Sequence, residues 1–143
     1  MAGLYLHIPF CVKKCDYCDF VSFPCNQAPE EYSQALIREL ALTAETGMFR
    51  DGFQTVFFGG GTPSLLSGEQ MQRILDAARE RFFVNPDAEI SMECNPGTVT
   101  SEKLAGYRKA GINRLSIGLQ AAQDSLLSAI GRIHTYAQFT HTL

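Results

Sequence analysis

Three cysteines near the beginning of the sequence constrain this chain more than any other feature. Cys11, Cys15 and Cys18 form a C-x3-C-x2-C array, and thiolates this close in sequence can converge on one soft metal centre. A cubane iron–sulfur cluster normally takes four cysteine ligands, so three would leave one iron open to a substrate or cosubstrate. The array therefore predicts a metal centre with a free coordination position.

Two other interpretations of the array stay open on spacing alone. The i, i+4, i+7 spacing also follows one face of a helix, where the three thiols would simply be buried. Against a helix, Pro9 and Pro24 flank the array, and charged residues lie between the cysteines. A structural zinc site would need a fourth ligand, usually from a second Cys or His pair. The sequence offers His7 or Cys25 nearby, but no such pair.

Composition and charge exclude several classes of protein. The 143 residues are enough for one domain with a core, and the net charge of −3 gives no basic patch for nucleic acid. The first residues lack the basic and apolar regions of a signal peptide, and no apolar run approaches the ~20 residues of a membrane span. Five cysteines, three of them clustered, argue against a disulfide framework. We therefore expect a cytoplasmic protein without a membrane span or a nucleic-acid partner.

Short β-rich runs alternate with longer helical ones, which predicts an α/β fold with a parallel sheet. The predicted strands cover residues 4–8, 54–58, 89–93 and 112–119. The predicted helices cover residues 29–45, 67–82, 100–110, 125–130 and 136–143. Ser67 opens a capping box, Thr100 is a candidate N-cap, and Gly111 is a helix stop.

Apolar and polar residues alternate in the predicted strands 4–8, 89–93 and 112–119. One sheet face can therefore pack under helices, whereas the other is polar or small and suits a ligand-holding lumen. The strand at 54–58 shows no such division. Four βα units cannot close a barrel, so strand 112–119 would be an open edge. We expect the chain to be a fragment of a longer protein.

The residues around the cysteines resemble those of radical S-adenosylmethionine proteins. An array of this spacing with an aromatic residue, Tyr17, before its last cysteine is similar to their cluster loop. Residues 4–11 (LYLHIPFC) and 17–20 (YCDF) resemble the oxygen-independent coproporphyrinogen III oxidase-like family, in particular its heme chaperone branch. Four later segments follow the family in the right order: 59–63 (GGGTP), 93–97 (ECNPG), 113–120 (NRLSIGLQ) and 131–135 (GRIHT).

The resemblance implies a fold and a set of cofactors. Residues 1–143 would be a radical S-adenosylmethionine core domain that is incomplete at its C-terminal end. They would form about four βα units of a partial (β/α)6 TIM-like barrel. The three cysteines would hold a [4Fe–4S] cluster whose open iron chelates S-adenosylmethionine. One electron would cleave that cosubstrate to methionine and a 5′-deoxyadenosyl radical.

Eight further residues match cofactor-binding positions of the oxidase relative. Tyr5, Gly60 and Glu93 match positions that bind the first S-adenosylmethionine, and the Glu93 carboxylate can accept from both hydroxyls of a ribose. The positions that bind a second S-adenosylmethionine are matched by Tyr17, Gly61, Thr62, Gln120 and Arg132. Without the resemblance, the glycine run and the N-P-G sequence would be simple turns. Arg132 and His134 would then be solvated surface groups.

Two functions from different classes follow from the resemblance. The first is a heme chaperone, which binds heme in the full-length protein and passes it to an acceptor protein. The second is an enzyme that needs an electron donor and oxidatively decarboxylates the propionate side chains of coproporphyrinogen III. The oxidase has Gly-Cys after its third cluster cysteine, where this chain has Asp19-Phe20. This difference favours the chaperone.

Overall fold

The computed structural model describes residues 2–143, so Met1 of the predicted domain lies outside the described residues. At its centre is a parallel sheet of four strands, and a two-stranded parallel sheet lies beside it. The strands in chain order are β1 (Ala2–Ile8), β2 (Phe10–Cys11), β3 (Phe23–Pro24), β4 (Phe53–Gly60), β5 (Val84–Cys94) and β6 (Arg114–Ile117). The main sheet has the order β1-β4-β5-β6, and β2 pairs with β3. This confirms the predicted α/β fold with a parallel sheet.

Five helices connect the strands or follow them. They are α1 (Glu30–Glu45), α2 (Gly68–Arg81), α3 (Ser101–Ala110), α4 (Asp124–Ala129) and α5 (Tyr136–Thr142), and a short 3-10 helix covers Pro63–Leu65. The Ser67 side chain accepts from the Gln70 N–H and completes the predicted capping box. Thr100 caps α3, which ends at Gly111 in a left-handed conformation. Local capping chemistry therefore sets the helix boundaries that the sequence predicted.

The hydrophobic core lies between the sheet and the helices α1, α2 and α3. The strand side chains that point to this layer have almost no exposed surface: Ile8 0%, Val56 0%, Phe58 0% and Met92 0%. The helices contribute residues such as Leu36, Leu75 and Tyr107. Burying a side chain of this size contributes about 1.5–3 kcal/mol. The core thus holds the strands in one layer, and their carboxyl ends lie along one edge.

Strand β4 corrects one prediction from the sequence. Val56 and Phe58 are fully buried under the helices, whereas Thr55 is exposed and Phe57 is half-buried on the other face. Strand β4 therefore has one face buried under the helices and one open face, like its neighbours. The prediction that it has no such division was wrong. Phe57 lies on the open face because it alternates with Val56 and Phe58, and there it stacks on Tyr5 of β1, with ring centroids 6.1 Å apart. Strand geometry, rather than hydropathy, assigns the face.

The sheet edge at β6 is only partly covered in the described residues. Strand β6 pairs with β5, and no other strand of residues 2–143 pairs with it. Leu115 belongs to the apolar face that the sequence predicts for this strand, yet it is 38% exposed. Helix α5 buries none of its residues. None of the helices within residues 2–143 combines the length and the hydropathy that a membrane crossing requires.

Candidate functional site

The predicted site residues gather at the carboxyl edge of the main sheet. All three neighbouring strand pairs in this sheet are parallel, so the loops that follow β1, β4, β5 and β6 leave from the same edge. The cysteine loop follows β1, Gly60 ends β4, Glu93 lies near the end of β5, and Gln120 lies just beyond β6. The topology therefore brings together segments that are more than a hundred residues apart.

The cysteine array lies on a loop and not on a helix. Cys11 is in β2, which pairs with β3, and the chain between these two strands has no helix. The N–H of Cys25 donates to the carbonyl of Cys11 at 2.8 Å, and the N–H of Cys18 donates to the carbonyl of Cys15 at 3.1 Å. All three array thiols are half-buried. The alternative of three thiols on a buried helical face is therefore wrong.

The three thiols fit an iron–sulfur centre by the chemistry of their donor set. Among residues 2–143, no three histidine, cysteine or carboxylate side chains are grouped closely enough to hold a metal ion. The structure thus brings the sulfurs to one loop but not to one coordination point. Three free thiols are a soft donor set. Residues 12–22, which include Cys15 and Cys18, form no strand or helix, so no ladder of backbone hydrogen bonds constrains these two ligands.

Two of the three sulfurs already have hydrogen-bond donors beside them. The Thr62 hydroxyl lies 3.5 Å from Cys11 Sγ, and a guanidinium nitrogen of Arg132 lies 3.8 Å from Cys15 Sγ. Hydrogen bonds to sulfur remain effective at these longer distances because the sulfur atom is large. The fourth nearby thiol, of Cys25, donates to the carbonyl of Gln27 at 2.7 Å. The donors are therefore directed at cysteines of the array.

The glycine run allows the end of β4 to approach its neighbours closely. Gly60 has φ +111°, and a Cβ there would lie 2.6 Å from the His7 ring. A Cβ on Gly61 would lie 2.6 Å from the Phe10 carbonyl oxygen and 3.0 Å from Cys11 Sγ. The Gly60 N–H donates to a carboxylate oxygen of Glu93 at 3.2 Å. Two residues predicted to bind one cosubstrate are thus in direct contact.

The two predicted tyrosines lie in different parts of the site. Tyr5 is on the open face of β1, and its hydroxyl is 2.9 Å from His7 Nδ1. Burial raises the pKa of the Tyr5 phenol, and the nearby Glu93 carboxylate adds to the rise. Tyr17 is about half exposed on the cysteine loop, and partial burial raises its pKa, which Arg132 partly opposes. Tyr5 therefore lies near Glu93, and Tyr17 lies near Arg132.

Gln120 and Arg132 lie together beyond β6. Gln120 is the one non-glycine residue with positive φ, at 70°, among those described, a conformation that is uncommon for such a residue. A Cβ on Gly118 would be 3.2 Å from the Gln120 side-chain amide and 3.3 Å from Arg132. The Arg132 guanidinium donates to the Gly118 carbonyl at 2.7 Å. The structure thus brings Gln120 and Arg132, which the resemblance assigns to the second S-adenosylmethionine, close together.

Residue motifs alone did not indicate the roles of Asn95 and His134. His134 is buried and its Nε2 lies 3.2 Å from the Leu119 carbonyl oxygen; burial and the Arg132 charge lower its pKa. Asn95 contacts Arg132 and Thr62 through its side chain. The interpretation of Arg132 and His134 as solvated surface groups is wrong. The sequence signal for Asn95 was its place directly after the end of a strand.

Comparison with known proteins agrees with this geometry. Residues 5–143 match the radical SAM superfamily. The chain is 47% identical over 134 residues to heme chaperone HemW of Escherichia coli strain K12, covering 92% of this chain and 35% of that protein. It is 46% identical over 137 residues to heme chaperone HemW of Synechocystis sp., covering 91% of this chain and 32% of that protein.

A solved structure shares the fold. Coproporphyrinogen III oxidase HemN from Escherichia coli, described as a radical SAM enzyme, has a TM-score of 0.86 and 32% identity to this chain. The alignment covers 97% of this chain and 32% of that one. The chain spans about a third of the length of the relatives it matches. Membership of this superfamily implies a [4Fe–4S] cluster and S-adenosylmethionine. The chain therefore belongs to the radical SAM superfamily, with its similarity in the HemW branch of the HemN-like family.

Proposed function

We propose that Cys11, Cys15 and Cys18 hold a [4Fe–4S] cluster and that the adjoining strand ends bind S-adenosylmethionine. The observation that carries this proposal is the juxtaposition of the cysteine loop with the contact between Gly60 and Glu93. When bound, the cluster would supply the electron that cleaves the cosubstrate. The residues of this chain would orient the cosubstrate and keep water away from it.

Glu93 is the residue best placed to recognise the ribose of the cosubstrate. Its carboxylate lies on the open face of β5, half-buried, and takes one N–H from Gly60. A carboxylate has about four acceptor positions, so it can also accept from the two ribose hydroxyls. The glycines beside it leave the backbone uncovered for a ligand. We assign Tyr5, Gly60 and Glu93 to this cosubstrate.

A second cosubstrate would lie on the other side of the cysteine loop. Arg132 lies near both Tyr17 and Gln120, and the Thr62 side chain is linked to Arg132 through Asn95. Gly61, the neighbour of Thr62 in the chain, would complete this set. The Thr62 side chain is only 1% exposed and its hydroxyl is engaged within the protein. Thr62 would therefore be connected to this region through Asn95 and Arg132.

For the whole protein we propose a cytoplasmic heme chaperone. Residues 1–143 would be the incomplete core domain of its barrel, and the partly covered edge at β6 supports a continuing sheet. Support also comes from relatives named heme chaperone HemW, at up to 47% identity, and from Asp19-Phe20. Heme, a heme-acceptor protein and an electron donor would be its partners. The alternative function is oxidation of coproporphyrinogen III, and the observation in its favour is the likeness to HemN at 32% identity.

Binding of the cosubstrate tests the assignment of Glu93. Glu93→Ala should weaken S-adenosylmethionine binding, measured anaerobically by calorimetry, while iron and sulfide contents stay unchanged. Losing a hydrogen bond made by a charged group costs ~1.5–3 kcal/mol, roughly a ten- to hundredfold change in affinity. Glu89→Ala is the matched control, because Glu89 lies on the same face of β5 but is exposed and pairs with Arg114. Equal affinities of both variants and wild type would remove Glu93 from the site.

Chaperone and oxidase are separated by one paired assay on the whole protein. The protein is incubated anaerobically with S-adenosylmethionine, a reductant and coproporphyrinogen III, and release of carbon dioxide and protoporphyrinogen is followed. In parallel, heme is added stepwise and its absorption band is recorded. We expect heme binding without decarboxylation. Turnover of the porphyrinogen would replace the chaperone by the oxidase, and absence of heme binding would reject the chaperone.

A further inference from the structure

Three side chains join two proposed cluster ligands by a continuous chain of hydrogen bonds. At one end the Thr62 hydroxyl lies 3.5 Å from Cys11 Sγ. The Asn95 amide nitrogen donates to the Thr62 oxygen at 2.9 Å, and Arg132 donates to the Asn95 amide oxygen at 2.9 Å. At the other end Arg132 lies 3.8 Å from Cys15 Sγ. We call Thr62, Asn95 and Arg132 the sulfur relay.

The direction of each hydrogen bond in the sulfur relay follows from its chemistry. A guanidinium only donates, so the amide oxygen of Asn95 must face Arg132 and its amide nitrogen must face Thr62. The Thr62 oxygen accepts that amide hydrogen, which leaves its own hydroxyl hydrogen to donate to Cys11. Both ends of the relay therefore present donors to sulfur. An aspartate at position 95 would reverse the hydrogen bond with Thr62, because a carboxylate can only accept. The Thr62 hydroxyl would then donate to residue 95 and not to Cys11.

The sulfur relay is held in place by further hydrogen bonds to neighbouring residues. The Asn95 N–H donates to the Ser64 hydroxyl at 3.3 Å, and the Asn95 carbonyl accepts from the Thr98 hydroxyl at 2.6 Å. Arg132 is fixed to the Gly118 carbonyl at 2.7 Å, and Thr62 is 1% exposed. Fixed donors stabilise charge without reorganising when the charge forms. The relay thus has the rigidity that charge stabilisation requires.

We propose that Asn95 is a positioning residue that directs the Thr62 and Arg132 donors at the sulfurs of Cys11 and Cys15 and so raises the reduction potential of the cluster. This inference rests on the proposed function, since it assumes the cluster at these cysteines. Reduction adds negative charge that is shared with the ligand sulfurs, and donors to those sulfurs favour the reduced form. Asn95 lies outside the residues that were expected to bind the cosubstrates.

The midpoint potential of the reconstituted cluster tests the proposal. It is measured anaerobically against mediators, and the reduced form is followed by electron paramagnetic resonance. Thr62→Val keeps the shape of the side chain but removes the hydroxyl. It should disfavour the reduced cluster about tenfold and so lower the midpoint potential by about 59 mV, for one electron. Thr62→Ser keeps a hydroxyl and should restore the wild-type potential. An unchanged potential in Thr62→Val would overturn the proposal.

A double-mutant comparison separates the positioning role from the effect of charge. Asn95→Asp should lower the potential through its charge and by turning the Thr62 hydroxyl away from Cys11. In a Thr62→Val background only the charge remains, so the same substitution should have a smaller effect. Equal effects in both backgrounds would show that Asn95 does not act through Thr62. Circular dichroism and urea unfolding confirm that each variant is folded.

Failure of this inference can be told apart from failure of the proposed function. A wild-type protein that takes up no iron and sulfide would reject the cluster itself. A wild-type cluster whose potential is insensitive to Thr62→Val and Asn95→Asp would reject only the sulfur relay. If Thr62→Val does not fold, Thr62→Ala takes its place in both comparisons, because it also removes the hydroxyl. An unchanged potential in Thr62→Ala would then reject the relay.

Discussion

A methyl group at position 61 is expected to push the cysteine loop out of place. The Cβ of Gly61→Ala would lie 2.6 Å from the Phe10 carbonyl oxygen, 3.0 Å from the Ile8 carbonyl oxygen and 3.0 Å from Cys11 Sγ, whereas ordinary contacts begin near 3.4 Å. Two of these three atoms belong to the backbone, which cannot rotate away as a side chain can. The Gly61 N–H also donates to the Ile8 carbonyl at 2.8 Å. The segment that carries Cys11 must therefore shift by several tenths of an ångström.

Overpacking of this kind typically costs ~1–3 kcal/mol of folding free energy. We expect a loss of this size in urea unfolding of Gly61→Ala, followed by circular dichroism, together with reduced iron and sulfide after anaerobic reconstitution. Gly3→Ala is the matched control, because its Cβ would closely approach only the hydroxyl of Thr55, an exposed side chain that can turn aside. Wild-type stability and iron content in Gly61→Ala would refute the argument that this glycine is needed for close approach.

Two further predictions concern the folded chain itself. Cys94 is 3% exposed and burial raises its pKa to about 12, so at pH 8 it stays a neutral thiol. Iodoacetamide should therefore label Cys94 in urea but not in the native protein, as measured by mass spectrometry of peptides. Native labelling of Cys94 as fast as that of Cys25 would contradict this burial. Ser67→Ala removes an N-cap whose oxygen accepts from Gln70, which should cost about 1 kcal/mol in urea unfolding. Ser101→Ala at the exposed start of α3 is the control, and equal stabilities of the two variants would argue against the cap.

Most of the architecture was predictable because it depends on local chemistry and on a rule of topology. The alternation of β-rich and helical runs indicated the four main strands and five helices. Ser67, Thr100 and Gly111 marked helix boundaries through hydrogen bonds made within a few residues. The meeting of Gly60 with Glu93 follows from parallel strands, whose carboxyl ends share an edge. These features need no knowledge of side-chain packing.

The remaining features depend on contacts between distant parts of the chain. Pairing of β2 with β3 involves only two residues in each strand, too few for a periodic pattern. Phe57 is partly covered on the open face by the stacked ring of Tyr5, a contact that hydropathy does not encode. Asn95 looked like a turn residue, yet its side chain contacts Arg132, 37 positions along the chain. Such roles emerge only when the sheet has brought the loops together.

The measurement that tests the central claim most directly is the iron and sulfide content of the anaerobically reconstituted protein. Three thiols on one loop that hold one cubane should give about four iron and four sulfide per chain, with broad visible absorption. Cys11→Ala, Cys15→Ala and Cys18→Ala should each abolish this cluster, and Cys25→Ala, whose wild-type thiol donates to Gln27, should retain it. One equivalent of zinc without sulfide, or a cluster that survives loss of an array cysteine, would contradict the account.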